Sequence, residues 1–289
     1  MKITLQPKGP FDFYKGLNDL TRQPFNLTEH LTRKNYQTIL FGNIISIAQD
    51  NSNGNLIIQT DANSDKQHLQ ISQEISQRFG LNQKITSFYK FISGNEYLKP
   101  MIQKLNGLRM YQKSTPFEAL VTAITDQQLN VAFAIKLKQR FIKNFGIKHQ
   151  VNGEIFYSFP TPEQIALLKD DALKQFQYSG MKSKYIIQLA KGIVKGDYPL
   201  ENWMTLKNDE LIERLTGIYG VGRWTAEYTA MIGFNRCDIV PAADIGLQRA
   251  VQKCYGLSKR PTEDDVRKIA ESWQPWRGLT TYYLWHAYE

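Results

Sequence analysis

Leu215-Thr-Gly-Ile-Tyr-Gly-Val-Gly-Arg-Trp-Thr-Ala226, followed by Val240-Pro-Ala-Ala-Asp-Ile-Gly-Leu-Gln-Arg249, is the stretch on which the fold of this chain turns. Helical patterning over Asn208–Leu215 and again over Arg223–Phe234 leaves Ile218-Tyr-Gly-Val-Gly222 as the connection between two helices. Glycines at 220 and 222 permit positive φ and a close backbone approach. The N–H groups that open the second helix lack intrahelical partners, and with the helix dipole behind them they suit one phosphate oxygen. Taken alone, a GxG turn serves tight helix packing as well as phosphate binding. An isolated acid such as Asp244, beside a proline-containing loop and ahead of a helix over Ile245–Tyr255, serves as well as an N-cap.

The whole-chain charge weighs toward the phosphate. Over 289 residues, 36 Lys+Arg face 27 Asp+Glu, a formal charge of +9. That balance favours polyanions, nucleic acid first and an anionic membrane second. A hydrophobic fraction of 42% with 12% aromatics describes a packed chain, long enough for two domains. The two cysteines, Cys237 and Cys254, form no CxxC pair, which excludes a four-cysteine zinc or iron–sulfur site and fits a reducing compartment. The opening residues lack the apolar run of a signal peptide, and no apolar stretch approaches membrane-spanning length. A cytoplasmic or nucleoid location is expected, with no membrane partner.

Two regions of different patterning succeed one another. In residues 1–106, short β-branched runs at Lys2–Leu5, Gln37–Phe41, Asn43–Ile47 and Asn55–Gln59 predict strands, with Gln49–Gly54 as a hairpin connection. Helical segments at Phe11–Leu20 and His68–Phe79 cover one side, giving an α+β domain with an antiparallel sheet. Helical periodicity takes over from about Ile85, so the last helices of this region are free to pack on the helices after them. Residues 107–289 read as an all-α bundle. It has one or more long helices between Ser114 and Gly146, then a capping-box start at Thr161-Pro-Glu-Gln164. Further helices are expected over Lys182–Ile193, Thr262–Ser272 and Thr280–Tyr288. The fold class expected is mostly α with an N-terminal α+β domain.

The run Ile218–Ala226 with Asp244, twenty-two positions after Gly222, resembles the signature of the helix–hairpin–helix DNA glycosylase superfamily. Within it, the chain is most similar to the bacterial 3-methyladenine DNA glycosylase II group. Four further blocks agree in order: Phe117–Gln128, Phe159-Pro-Thr-Pro162, Gly180-Met-Lys-Ser-Lys184 and Trp273-Gln-Pro-Trp-Arg277. The match runs over residues 107–289, and more loosely over the N-terminal sheet region.

The resemblance implies a monomeric enzyme that binds double-stranded DNA, extrudes a damaged base and hydrolyses its N-glycosidic bond. Asp244 matches the catalytic acid, whose carboxylate stabilises positive charge developing on the sugar. Trp224, Tyr228 and Trp285 match an aromatic pocket that attracts a cationic alkylated purine. The first two are four apart and so share one helical face. Phe13 or Tyr14 would complete that cleft from the N-terminal domain. DNA-binding positions would be Gly220, Gly222, Arg223, Thr225, Lys182 and Lys184, with Gln127, Gln128 and Leu129 in the segment that fills the gap left by the base.

Bifunctional relatives carry a lysine where this chain has Trp224, so a monofunctional glycosylase leaving an abasic site is expected. No cofactor or catalytic metal is implied, though carbonyls of Thr216, Ile218 and Val221 match a monovalent-cation site. Two departures stand out. Ala243 occupies a position that is often a second acid, and Tyr219 replaces the usual hairpin proline, which should loosen the turn. A glycosylase for oxidised or deaminated purines and a non-catalytic damage-binding module are the alternatives.

Overall fold

The computed structural model describes residues 1–21, 27–31, 35–151 and 153–288. Five strands, β1 (Lys2–Leu5), β2 (Glu29–Leu31), β3 (Tyr36–Leu40), β4 (Asn43–Gln49) and β5 (Leu56–Thr60), form an antiparallel sheet in the order β1-β5-β4-β3-β2. Alternation does what it should: Tyr36, Ile47 and Ile58 sit side by side in register, all fully buried. Helices α1 (Phe13–Thr21) and α2 (Asp65–Arg78) close that face with Phe13, Leu17, Ile71 and Ile75. Four strands lie within a residue or two of their sequence-based positions. β2 carries Glu and His and gives no strand signal of its own; pairing with β3 makes it a strand.

The remaining helices are α3 (Ile85–Ile92), α4 (Pro100–Lys104), α5 (Pro116–Asp126), α6 (Val131–Phe145), α7 (Pro162–Ala166), α8 (Gly180–Lys195), α9 (Asn208–Thr216), α10 (Arg223–Gly233), α11 (Ile245–Tyr255), α12 (Glu263–Glu271) and α13 (Arg277–Tyr288). Their apolar faces merge into one core running from Ile85 to Ala287, so α3 and α4 belong to the helical core and not to the sheet's. The segment after Ser114 is two helices. Asn130 caps the Phe133 N–H at 2.9 Å and starts α6 afresh, after Gln128 has taken a left-handed φ of 53°. The capping box at Thr161 and Gln164 forms as the motif predicts.

Sequence patterning did not reveal β6 (Lys148–Val151) and β7 (Glu154–Tyr157), a ribbon between α6 and α7. It reaches back to the sheet: the Tyr157 N–H donates to the Leu27 carbonyl (2.8 Å), and the His30 ring stacks on Phe156 (3.9 Å between centroids). Two buried arginines add polar ties between the regions. Arg109 donates to the carbonyls of Lys8, Pro10, Gly80 and Gln83. Arg78 meets Glu29, Glu74, the Tyr36 hydroxyl and Ser114. Cys237 and Cys254 are not joined in a disulfide, and burial pushes the Cys237 thiol up to about 11. Among the described residues, no helix is long and apolar enough to cross a membrane.

Candidate active site

The connection between α9 and α10 is anchored by buried Leu215, Ile218 and Val221, which leaves its polar backbone on the outside. Gly220 has φ 86°, and a Cβ there would lie 2.2 Å from the Tyr185 ring. Gly222 does not use the freedom a glycine has for positive φ. It is extended (φ −82°, ψ 175°), caps α10 without a side chain and has open space where a Cβ would be. The first N–H groups of α10 therefore start from a bare N-terminus, the arrangement that accepts an anion. Tyr219 does not simply loosen the hairpin. Its ring stands edge-on to Tyr185 (4.9 Å, 85°), and the Lys184 ammonium lies 5.6 Å from its centroid, so packing supplies rigidity that proline would otherwise provide. Gly220→Ala should force the hairpin off Tyr185 and out of its left-handed φ. We expect about tenfold weaker duplex binding by fluorescence anisotropy, roughly the 1–2 kcal/mol cost of that backbone state. Affinity within twofold of wild type would refute this account of the turn.

Buried Val240 and Ala242 seat the loop before α11, and the Asp244 N–H donates to the Pro241 carbonyl (2.9 Å), which brings Asp244 to the N-cap. Its Oδ1 accepts the Leu247 N–H (2.7 Å) and the Trp285 indole N–H (3.1 Å), while Oδ2 accepts the Trp224 indole N–H (3.1 Å). Capping and a second set of contacts thus coexist on one carboxylate. Trp224 stacks on Tyr228 (5.6 Å, 19°), and Tyr228 lies 6.0 Å from Trp285. Helices α10, the start of α11 and α13 so converge on a half-buried carboxylate edged by three aromatic rings. Each indole contributes both a π face and a donor, and the donors fix the carboxylate's rotamer.

One residue in this arrangement escaped sequence reasoning. A Cβ on Gly246 would come 3.0 Å from Asp244 Oδ1 and 3.8 Å from Trp285, so the glycine permits the indole edge to reach the acid. The Asp-Ile-Gly spacing was the available signal. Phe13 and Tyr14, expected to complete the cleft, belong elsewhere: Phe13 is 1% exposed in the sheet core, and Tyr14 packs against that same cluster.

The expected DNA-binding residues divide into two groups. Gln128, Lys184 and Arg223 are exposed, and Leu129 is half-buried against the helical core. Gln128 lies in the turn between α5 and α6, not within a helix. Arg223, 65% exposed, also donates to buried Glu227 (2.9 Å), which Arg267 grips with two donors.

The other group turns inward. Gln127 Nε2 donates to the Gly220 carbonyl (3.0 Å) and to Thr225 Oγ1 (2.9 Å), and Thr225 is 2% exposed. Lys182 Nζ donates to the carbonyls of Thr125 (2.7 Å) and Gln127 (2.6 Å). Burial brings its ammonium down to about 8, against the opposing pull of Asp126. These three side chains are engaged with backbone and hydroxyl groups at the end of α5 and in the hairpin, so Lys182 is turned away from the phosphate position and Gln127 away from the gap-filling position expected of them. Of the carbonyls matched to a cation, that of Ile218 already accepts the Val221 N–H (3.0 Å) within the turn, leaving its second lone pair for an ion. No group of three or more His, Cys, Asp or Glu side chains gathers to hold a metal among the described residues.

The site thus combines a bare helix N-terminus across a hairpin with an aromatic-edged carboxylate at the start of the next helix. Residues 121–275 match the family model of the HhH-GPD superfamily base excision DNA repair proteins, and residues 5–120 match the 8-oxoguanine DNA glycosylase N-terminal domain. The chain belongs to the HhH-GPD superfamily and is a base excision DNA glycosylase. It is 30% identical to a DNA-3-methyladenine glycosylase of Bacillus subtilis over 285 residues, 95% of this chain and 93% of that one. A 3-methyladenine DNA glycosylase structure from Archaeoglobus fulgidus shares the fold with a TM-score of 0.84 at 24% identity, covering 99% of this chain and 97% of that one. The 3-methyladenine DNA glycosylase of Schizosaccharomyces pombe, solved in complex with abasic DNA, is 31% identical with a TM-score of 0.59, over 69% of this chain and 95% of that one.

Proposed function

We propose that the protein is a monofunctional glycosylase that flips alkylated purines such as 3-methyladenine and 7-methylguanine out of double-stranded DNA and hydrolyses their N-glycosidic bonds. The observation that carries this reading is the Asp244 carboxylate held by two indole N–H groups at the edge of three aromatic rings. An N-alkylated purine is a cation and is drawn to aromatic faces. When its bond to C1′ breaks, the base takes the electron pair and leaves neutral, while positive charge passes to the sugar. Asp244 stabilises that charge electrostatically. Water adds its oxygen to C1′ and gives up a proton, leaving an abasic site and a free base. Trp224 stands where a lysine would be needed for attack on the sugar, so no covalent enzyme intermediate forms and the DNA strand stays intact.

In this reading the N-terminus of α10 holds a phosphate, Lys184 and Arg223 add charge, and a single copy of the chain engages the duplex. Gln128, carried outward on its turn, enters the space the base vacates, with Leu129 behind it. Extrusion costs a few kcal/mol, which these contacts must offset. Oligonucleotides carrying single 3-methyladenine, 7-methylguanine, hypoxanthine or 8-oxoguanine residues test the substrate class. After hot alkali, breaks should appear at the two alkylated purines. Breaks at 8-oxoguanine alone would support the alternative of oxidised-base removal, which the family match over residues 5–120 favours. Breaks without alkali would overturn the monofunctional assignment. Binding to damaged duplex without release of any base would leave only a damage-binding module.

A further inference from the structure

We propose that Lys182 and Gln127 act as positioning residues for base extrusion, clamping the Gln128 turn to the DNA-gripping hairpin instead of contacting DNA themselves. The inference rests on the glycosylase reading above and deepens it.

Three observations carry it. First, Lys182 lies in the opening turn of α8, where a helix dipole disfavours a cation, yet it is aimed across at the end of α5. There its ammonium meets the carbonyls of Thr125 and Gln127, which lie where a helix has no partners of its own to offer them. A lysine meant for a phosphate would keep its ammonium in solvent; this one is half-buried. Second, Gln127 spans the other side, with its amide on the Gly220 carbonyl and on buried Thr225. One donor group therefore ties the turn to α8, and the next ties it to both the hairpin and the first turn of α10. Third, Gln128 lies immediately after this doubly tied residue and holds a left-handed φ of 53°. A side-chain-bearing residue keeps that conformation only where its surroundings over-determine it.

The mechanical consequence is direct. A side chain pressing into a base stack must be braced against something that does not yield. The brace here is the element that holds the phosphate. Without the clamp the turn relaxes, and the push distorts the protein instead of unstacking the base.

Two measurements on Lys182→Met test this. In single-turnover reactions on 7-methylguanine, release from a duplex with cytosine opposite should fall about 30-fold, within the range that small misplacements cost. With an abasic site opposite, where no pairing resists extrusion, release should fall less than about threefold, because little extrusion energy is needed. The salt dependence of binding to undamaged duplex should keep its slope, and Lys182→Arg should recover most of the paired-duplex rate. Gln127→Ala should reproduce the same split between substrates, and its abasic-opposed rate reports whether the fold is intact. A log–log salt slope shallower by about one would make Lys182 a phosphate contact and overturn the proposal. So would equal losses on both substrates, or no loss on either. If wild-type protein releases no base from either duplex, the glycosylase reading itself fails and this inference falls with it.

Discussion

Asp244→Asn should lower single-turnover base release by about 10³-fold, the scale on which removal of a preorganised electrostatic partner acts. The substitution is informative because it separates the helix cap that Asp244 forms from the chemistry proposed for it. Asparagine is as good an N-cap as aspartate. Its amide oxygen can keep the Leu247 N–H and the Trp285 indole, both of which meet Oδ1. Its NH₂ would face the Trp224 indole N–H, so that one hydrogen bond is lost at a cost of about 1 kcal/mol. Stability should therefore change little, and duplex affinity should hold or rise because one negative charge near the phosphates is gone. Chemistry alone loses its partner for the sugar cation. A rate within tenfold of wild type would remove Asp244 from the reaction and return it to a helix cap.

Arg78→Met should be the most damaging substitution outside the active site, costing about 3–5 kcal/mol as expected when one member of a buried ion pair is deleted. Glu29, 8% exposed on the edge strand β2, accepts the Tyr36 hydroxyl (2.5 Å), the Tyr111 hydroxyl and Arg78 (3.2 Å). Arg78 also holds Glu74 (2.8 Å) and Ser114. Burial, with Glu29 beside them, holds the Tyr36 and Tyr111 hydroxyls protonated far above the usual phenol range, so they remain donors. Methionine would fill much of the arginine's volume and supply none of its charge. The buried carboxylate of Glu29 and the half-buried one of Glu74 would both lose the guanidinium that pairs with them. Because Tyr111 and Ser114 lie in the segment leading into α5, the loss should loosen the sheet region from the helical core. Thermal melting should drop by roughly 6–20 °C at about 2–4 °C per kcal/mol. A melting temperature within 2 °C of wild type would show that the network contributes nothing net.

How far the chain could be read depended on whether the deciding information was local. Caps at Thr161 and Asp244, the helix boundaries around the hairpin and the i, i+4 placement of Trp224 and Tyr228 depend on near neighbours, and all were legible. Strand β2 and the β6–β7 ribbon pair with adjacent strands but lean on each other from distant parts of the chain, through His30 on Phe156 and Tyr157 on Leu27, and their composition carries no independent signal. Long apolar periodicity across residues 117–137 likewise hid the break at Gln127–Asn130, since both helices present their apolar faces to one core.

By itself, then, the sequence determined that a glycine hairpin opens a helix and that one acid follows it, and spacing along one or two helices is enough to establish both. That Trp224 takes the position of a lysine is what the resemblance to the glycosylase family implies. Tertiary structure alone decided which polar side chains face solvent and which face the protein. Lys182, Gln127 and Thr225 have the chemistry of DNA ligands, but carbonyls and hydroxyls from other elements claim them. It also brought Trp285 across from the last helix onto Asp244, over a glycine that leaves it room. Where a donor points depends on which buried acceptor would otherwise go unpaired, and that is settled only when distant segments meet.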